Sequence, residues 1–332
     1  MDIQPNSPKR VEELWFEDGN IVLQAGDSQF RVYRGILAVR SHVFQDMLSF
    51  PQPPDSDLVD GCPLVHLPDS EIEVCFFLKA IFDPEFLMPF PSKTTFDAVT
   101  SCLRLSHKYG VDFLRRRALI HLSSGYDTKL SRWDVADTFG GGNQAVDDIM
   151  SWPWPQNPAN EIYAIPLYRE VGALWLLPST FYNMSACFPR IGQAIFHGAT
   201  NNGVLSKLSA EDGAAFVKGS IIQTESTTTE ILKFLSDPLH INGCSSPTEC
   251  ALKRFKAIGE TRLSITYCNP LAAWSNWHLL DGVCSVCLAK LRQEHQAARQ
   301  AFWDKLPGIY GLPPWEELEE MKAAAIGRGL FS

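Results

Sequence analysis

The chain has 332 residues, of which 45% are hydrophobic and 20% charged, a composition that excludes a wholly disordered or fibrous protein. The formal net charge of −9 makes nucleic acid an unfavourable main partner and favours protein partners. Nine cysteines are too few for a disulfide scaffold, and the polar N-terminus lacks the apolar core of a signal peptide. The longest uncharged stretch, residues 171–189, contains proline and polar residues and is a poor membrane span. We therefore expect an intracellular protein of the cytoplasm or nucleus that does not cross a membrane.

The first third of the chain has the pattern of a small mixed α+β domain. Residues 1–14 are rich in proline and charge and are predicted to be a flexible tail. A β-hairpin is predicted next, followed by two short helices that break near Ser41. A third strand then precedes a helix with a predicted capping box, Ser70 with Glu73, and a final pair of helices. The predicted strands cover residues 21–23, 30–32 and 64–67, and the helices cover residues 36–48, 70–82, 96–109 and 112–122.

These elements resemble a BTB/POZ domain over residues 15–125. The resemblance is carried by the segments Asp18–Leu23 (DGNIVL), Phe30–Phe44 (FRVYRGILAVRSHVF) and Phe96–Leu114 (FDAVTSCLRLSHKYGVDFL). The last of these is similar to the C-terminal helix pair of that domain. The whole chain also resembles the BTB proteins that are abundant in mushroom-forming fungi. The resemblance implies an α+β fold, a role in protein–protein interaction, and homodimerisation through the BTB domain.

Two residues depart from the pattern of BTB-zinc-finger repressors, in which a buried Asp meets an Arg or Lys near the dimer interface. Arg34 occupies the basic position, but Asn20 stands at the acidic position and cannot supply a charge. We expect Arg34 to pair with Asp18 or another acid, or to remain solvated, because an unpaired buried charge is costly. Tyr33 also replaces the family's usual His. These departures concern the dimer or peptide-binding pocket and leave the apolar pattern of the fold intact.

The resemblance also implies a cullin ubiquitin ligase as a partner, because many BTB proteins bring substrates to that scaffold. A hydrophobic-x-Glu motif in the loop before the third strand often supports the contact. The loop here contains Leu58-x-Asp60, whose carboxylate is one methylene shorter than that of Glu. An ordinary solvated acidic loop is the alternative interpretation.

Residues 126–160 are predicted to be a helical extension and a proline-rich connector. Gly140-Gly141-Gly142 favours a helix stop over a phosphate loop, because no Lys-Ser or Lys-Thr follows it. Residues 152–158 contain three prolines and form a stiff connector. Residues 161–332 are predicted to be a mainly helical C-terminal domain, in which Lys253-Arg254-x-Lys256 is one solvated helix face.

Four cysteines in this second half have a spacing that is typical of a metal site: Cys244, Cys250, Cys284 and Cys287. Cys284-x-x-Cys287 lies immediately before a predicted helix, whose N-terminus stabilises thiolate charge and suits tetrahedral zinc. The five-residue gap between Cys244 and Cys250 is wider than the usual zinc-finger interval. Four small buried hydrophobic residues are the alternative interpretation. Substitute ligands are Cys268, His240 and His278.

The sequence therefore predicts a protein-interaction adaptor or scaffold with no catalytic activity. Its expected partners are a second copy of the chain and a cullin, and its one expected cofactor is structural zinc. A zinc-stabilised nucleic-acid-binding or transcriptional regulator is the alternative function. A hydrolase or a redox enzyme is disfavoured, because no GxSxG elbow, HExxH motif or thioredoxin-like context occurs.

Overall fold

The computed structural model describes residues 8–50, 57–139, 152, 159–238, 240–264 and 269–331. Two features predicted from the sequence, the triglycine at residues 140–142 and most of the connector at 152–158, lie outside these ranges. Among the described helices, none combines the length and the apolar character needed to cross a bilayer.

The N-terminal region is built on a sheet of five strands in the order β1-β3-β2-β5-β4. β2 and β3 form the predicted antiparallel hairpin, and β5 pairs with β2 in parallel. β1 runs parallel to β3 at the edge of the sheet, so the expectation of a flexible tail over residues 1–14 was wrong for residues 9–14. The strand was missed because only Leu14 in it is fully buried, and its charged residues hide any alternation. The strands are β1 (Lys9–Trp15), β2 (Ile21–Ala25), β3 (Ser28–Val32), β4 (Leu58–Val59) and β5 (Cys62–Leu67).

Five described helices belong to this N-terminal region and follow the predicted order. The predicted break near Ser41 is confirmed, because the Ser41 hydroxyl caps the second helix by accepting from the Phe44 amide at 2.9 Å. The predicted capping box of Ser70 and Glu73 was wrong. Ser70 donates instead to the carbonyl of Asn202, and the Glu73 carboxylate accepts from Tyr163 at 2.8 Å. The helices are α1 (Arg34–Arg40), α2 (His42–Ser49), α3 (Glu71–Phe82), α4 (Phe96–Lys108) and α5 (Asp112–Ser123).

The rest of the described chain is mostly helical, which confirms the predicted α+β class with a helical C-terminal region. A short β6–β7 hairpin (Ala199–Asn201 and Val204–Ser206) is the exception, and its Asn201 donates to Asp97 on α4 at 3.0 Å. Three 3₁₀ helices cover Leu174–Leu176, Ile231–Leu235 and Trp277–Leu280. The α-helices are α6 (Leu130–Phe139), α7 (Asn160–Glu170), α8 (Leu177–Ala186), α9 (Phe188–His197), α10 (Ala210–Thr229), α11 (Pro247–Ser264), α12 (Ser285–Ile309) and α13 (Trp315–Ile326).

Most buried apolar side chains belong to one main core that runs from Leu14 on β1 to Ile326 on α13. Residues on both sides of the predicted boundary at residue 160 contribute to it, so that boundary does not separate two hydrophobic cores. A smaller cluster, the satellite core, lies apart from the main core. Its buried members are Leu232, Phe234, Leu235, Cys250, Ala257, Trp274, Leu280, Val283, Cys287 and Leu291.

Helix α12 belongs to both cores. Leu291, near its N-terminus, lies in the satellite core, whereas Phe302, Trp303 and Leu306 lie in the main core. The 3₁₀ helix Ile231–Leu235 makes a second connection, because Ile231 packs in the main core and Phe234 in the satellite core. The satellite core is therefore held to the rest of the molecule by two continuous helical segments.

Candidate metal centre

The four cysteines predicted as metal ligands converge at one point beside the satellite core. The sulfur atoms of Cys244, Cys250, Cys284 and Cys287 all lie within 4.8 Å of one another. The first pair comes from the turn before α11 and from the first turn of that helix. The second pair comes from the N-cap and the first turn of α12. The predicted grouping of these four residues is therefore confirmed.

Two glycine-containing turns direct the first cysteine of each pair toward the cluster. The Cys244 amide donates to the Ile241 carbonyl at 3.1 Å, and the Val283 amide donates to the Leu280 carbonyl at 3.0 Å. Gly243 and Gly282 have φ angles of +81° and +83°, a conformation that residues with a side chain rarely adopt. The spacing between Cys244 and Cys250 is wide because the chain must leave this turn and enter α11, which starts at Pro247.

The sulfur–sulfur distances fit tetrahedral coordination and do not fit disulfides. The Sγ atoms of Cys244 and Cys284 are 3.7 Å apart, and all four residues are free thiols. A disulfide joins its sulfurs at about 2.05 Å. Four sulfurs at a zinc–sulfur distance of about 2.3 Å stand about 3.8 Å apart at the corners of a tetrahedron. This separation rules out a disulfide between Cys244 and Cys284 and is compatible with two ligands of one tetrahedral metal ion.

Burial and hydrogen bonding distinguish the Cys284 thiol from those of Cys250 and Cys287. Backbone amides of Cys287 and Ser245 donate to the Cys284 sulfur and lower the pKa of that thiol to about 6. Burial raises the pKa of Cys250 and of Cys287, each of which is 2% exposed. Amide donors at helix N-termini favour a thiolate, whereas burial disfavours one unless a cation is present.

Arg254 lies beside the cysteines and was not foreseen as part of the site. The expectation that Lys253, Arg254 and Lys256 share a solvated helix face was wrong for Arg254, which is 3% exposed. Its side chain lines a cleft of about 220 Å³ together with Cys244, Cys250 and Cys287. The four-residue step from Cys250, one helical turn, places both residues on the same side of α11 and is the signal that the sequence offered.

The substitute ligands do not join the cluster that the described residues form. His240 lines the same cleft, but its ring belongs to an exposed residue outside the group of four. His278 is exposed in the 3₁₀ helix Trp277–Leu280. Cys268 lies outside the described residues.

The predicted interaction residues Asn20 and Arg34 meet each other, although not as a charge pair. The Asn20 side-chain oxygen accepts from the Arg34 backbone amide at 2.8 Å and so satisfies the first amide of α1. The Arg34 guanidinium donates to the Leu48 carbonyl at the end of α2. Asp18, the expected acidic partner of Arg34, accepts instead from the Tyr33 hydroxyl at 2.5 Å. Arg34 is exposed, and a backbone carbonyl takes the place of the acid.

Leu58 lies on the short strand β4, and Asp60 lies in the turn between β4 and β5. Leu58 is 63% exposed, whereas the Asp60 carboxylate pairs with Arg10 of β1 at 2.9 Å. Asp60 and Gly61 both have positive φ angles, of 47° and 76°, as a tight hairpin turn requires. An exposed apolar side chain thus stands two residues from a carboxylate that is already engaged within the chain.

Comparison with known proteins gives no match: no family model, no curated protein and no solved structure is similar to the chain. The order of the elements and the chemistry of the cysteine cluster are therefore the observations that bear on function.

Proposed function

We propose that this chain is a protein-interaction adaptor, with no catalytic role, built on a BTB/POZ domain over residues 15–125. One observation carries the proposal. The described elements follow the order that the resemblance implies, namely a hairpin, a helix pair, a strand, a helix and a second helix pair. The sheet pairing supports it, because β5 joins the hairpin in parallel only after the chain has passed through α1 and α2.

The first partner of the adaptor is a second copy of the chain. Helix α1 has two outward apolar side chains, Val39 at 85% exposure and Ile36 at 41%. Arg40 of the same helix lies over the ring of Phe113 on α5, which is itself 38% exposed. Neighbouring exposed apolar side chains of this kind favour a protein interface.

Light scattering after size-exclusion chromatography tests the homodimer. We expect a dimer for the wild type and a monomer for Val39→Asp, because a carboxylate desolvated at an apolar interface is costly. The matched control is Ile221→Asp on α10, where the parent residue is 56% exposed outside the BTB region. A wild-type monomer at high concentration, or equal effects of the two variants, counts against the proposal.

The second partner is a cullin, bound through the loop that contains Leu58. In a pull-down with a cullin N-terminal domain, Leu58→Ala should weaken capture. Arg10→Ala releases Asp60 from its ion pair and should maintain or strengthen capture. If neither Leu58→Ala nor Asp60→Ala alters capture, this loop is not the contact.

The cofactor of the adaptor is one structural zinc ion held by Cys244, Cys250, Cys284 and Cys287. Four thiolate ligands complete a tetrahedral shell, so the ion has no open position for a substrate or an activated water. Its role is to join the start of α11 to the start of α12. Metal analysis of the purified chain should find one zinc per molecule, and a metal-free, fully folded protein would oppose this part of the proposal.

The alternative of a nucleic-acid-binding regulator has less support. Residues 231–300 contain eight Lys and Arg and five Asp and Glu, a net charge of +3. Four thiolates and one zinc ion together add two negative charges to that balance. Arg254 is buried, and the Lys253 ammonium donates to the carbonyl of Asp281. Little positive charge is left to face a phosphate backbone.

A further inference from the structure

A zinc ion bound by four thiolates has a net charge of −2, and this charge must be balanced near the satellite core. Two of the four sulfurs belong to residues that are only 2% exposed, so water cannot balance it alone. The N-termini of α11 and α12 supply partial positive charge, equivalent to about half a charge each. The two helix ends together offset about one of the two negative charges, and a cation close to the buried sulfurs would offset the other.

Arg254 is placed to be that cation. It lies one turn beyond Cys250 on α11 and lines the cleft above Cys250 and Cys287. Its guanidinium is held by bonds that include Nε to the Leu235 carbonyl at 3.0 Å and Nη2 to the Phe234 carbonyl at 3.3 Å. Both acceptors are uncharged, so these two bonds orient the group without neutralising it.

The cleft that Arg254 lines identifies the group that it balances, because Cys244, Cys250 and Cys287 line the same cleft. Burial lowers the pKa of its guanidinium, and the largest opposing effect comes from Cys287, followed by Cys250. The carboxylate of Asp237 also raises the pKa of Arg254, but by less than either cysteine does. The side chain is 3% exposed, so its attraction to the sulfurs is weakly screened.

We propose that Arg254 is the counter-charge of the cysteine cluster and a positioning residue that sets the affinity of the cluster for its metal. This inference rests on the proposed zinc site. The carbonyls of Phe234 and Leu235 hold the guanidinium in place, and the positive charge stabilises the four thiolates in the metal-bound state. The same two bonds tie the 3₁₀ helix Ile231–Leu235 to α11, so metal binding and the packing of the satellite core support each other.

Competition between the full-length chain and a chromophoric zinc chelator tests the inference. We expect Arg254→Met, which keeps much of the side-chain length and removes the charge, to weaken zinc binding about 10- to 100-fold, as loss of a group supporting metal ligands usually does. Arg254→Lys keeps the charge but cannot reproduce the paired carbonyl contacts, and it should recover most of the affinity. Lys256→Met is the matched control, because Lys256 is exposed two residues away on the same helix and carries the same charge. It should bind zinc like the wild type.

Each outcome bears on the inference. Equal losses for Arg254→Lys and Arg254→Met would mean that Arg254 acts only by holding the carbonyls, and would overturn the counter-charge role. Equal losses of zinc affinity for Arg254→Met and Lys256→Met would mean that only the overall charge of the protein matters. That result would also overturn the counter-charge role of Arg254. The visible spectrum of the cobalt-substituted protein should keep its tetrahedral bands in both Arg254 variants, since the four ligands remain. If the wild-type chain binds no zinc, the proposed site itself fails, which is a result distinct from any difference among the variants.

Discussion

The main core and the satellite core differ in what stabilises them. The main core is drawn from elements between β1 and α13 and buries large rings such as Trp175, Phe181 and Trp303. The satellite core has ten buried residues, two of which are cysteines. The main core buries enough apolar surface to be stable without a link, whereas a cluster as small as the satellite core usually needs a covalent or metal link. The four cysteines lie beside this smaller core.

Removal of the metal should give the largest difference between the two cores. In zinc-finger peptides, structural zinc contributes about 10–16 kcal/mol of binding free energy, which is of the same order as the burial of the ten side chains in the satellite core at about 1.5–3 kcal/mol each. We expect chelation, or the double change Cys284→Ser and Cys287→Ser, to abolish hydrogen-exchange protection over residues 247–264 and 284–291. Protection around Phe77 and Leu103 should remain. The control is Cys75→Ser, a half-buried cysteine outside the cluster, and unchanged protection after chelation would contradict the expectation.

Two alanine substitutions on the same helix test whether the main core and the satellite core unfold separately. Phe302 and Leu291 of α12 are both fully buried, the first in the main core and the second in the satellite core. Phe302→Ala should lower the free energy of global unfolding by about 3–5 kcal/mol. Leu291→Ala should leave global unfolding nearly unchanged and reduce zinc affinity instead. Urea unfolding and zinc titration measure the two effects, and equal global losses would show that the two cores unfold as one unit.

The main core should also respond to pH through Glu161. This residue is buried on α7 and accepts from the Tyr126 hydroxyl at 3.0 Å; burial raises the pKa of its carboxyl from 4.5 to about 8. Between these two values the folded state keeps a proton that the unfolded state has lost. The stability supplied by Glu161 is therefore complete below pH 4.5 and falls, by on the order of a few kcal/mol, as the pH rises to about 8.

Thermal unfolding of Glu161→Gln between pH 5 and pH 8 checks this effect. A neutral amide keeps an oxygen for Tyr126 and carries no charge, so the variant should lose less stability than the wild type as the pH rises. The stability of the variant should still fall somewhat as the pH rises, because burial also raises the pKa of Glu73 and of Asp127. If the stability of the variant and that of the wild type fell equally with pH, Glu161 would not be the source of the pH dependence.

The smallest predicted effect concerns the turn before Cys244. Gly243→Ala forces a side chain into a backbone with φ of +81°, at a cost of about 1 kcal/mol. The added carbon meets only Val286 at 3.8 Å, so the cost is conformational and not steric. We expect a loss of several-fold in zinc affinity with no change in global unfolding. Gly259→Ala, a helical position where nothing lies within 4 Å, is the control and should leave zinc affinity unchanged.

Local patterns predicted much of this molecule. Alternation and turn residues gave the β2–β3 hairpin, and Ser41 gave the break between α1 and α2, because these signals lie within a few residues of the elements that they form. β1 was missed because its partner, β3, is distant in sequence and only Leu14 reaches the core. The continuous core across residue 160 could not be predicted, because tertiary packing and not periodicity decides which apolar faces meet.

The candidate metal site also has a part that local sequence patterns predicted and a part that they missed. The spacing of the cysteines predicted the grouping of Cys244, Cys250, Cys284 and Cys287, since thiols near helix starts tend to converge on a metal. The buried position of Arg254 was missed because a basic run normally faces solvent. Its acceptors, the carbonyls of Phe234 and Leu235, are about twenty residues earlier in the chain and leave no mark in the local pattern.

The helix shared by the two cores also sets a distance. α12 has 25 residues, which at a rise of about 1.5 Å per residue makes a rod of about 37 Å. Whatever the satellite core presents at one end is thus held at a fixed distance and rotation from α8, whose Tyr182 packs against Phe302 in the other half of the helix. Four extra residues inserted between Leu291 and Phe302 would move the presented group outward by about 6 Å and turn it by about 40°. If the proposed adaptor function holds, this fixed distance matters for delivery of one protein to another as much as the affinity of the binding surfaces does.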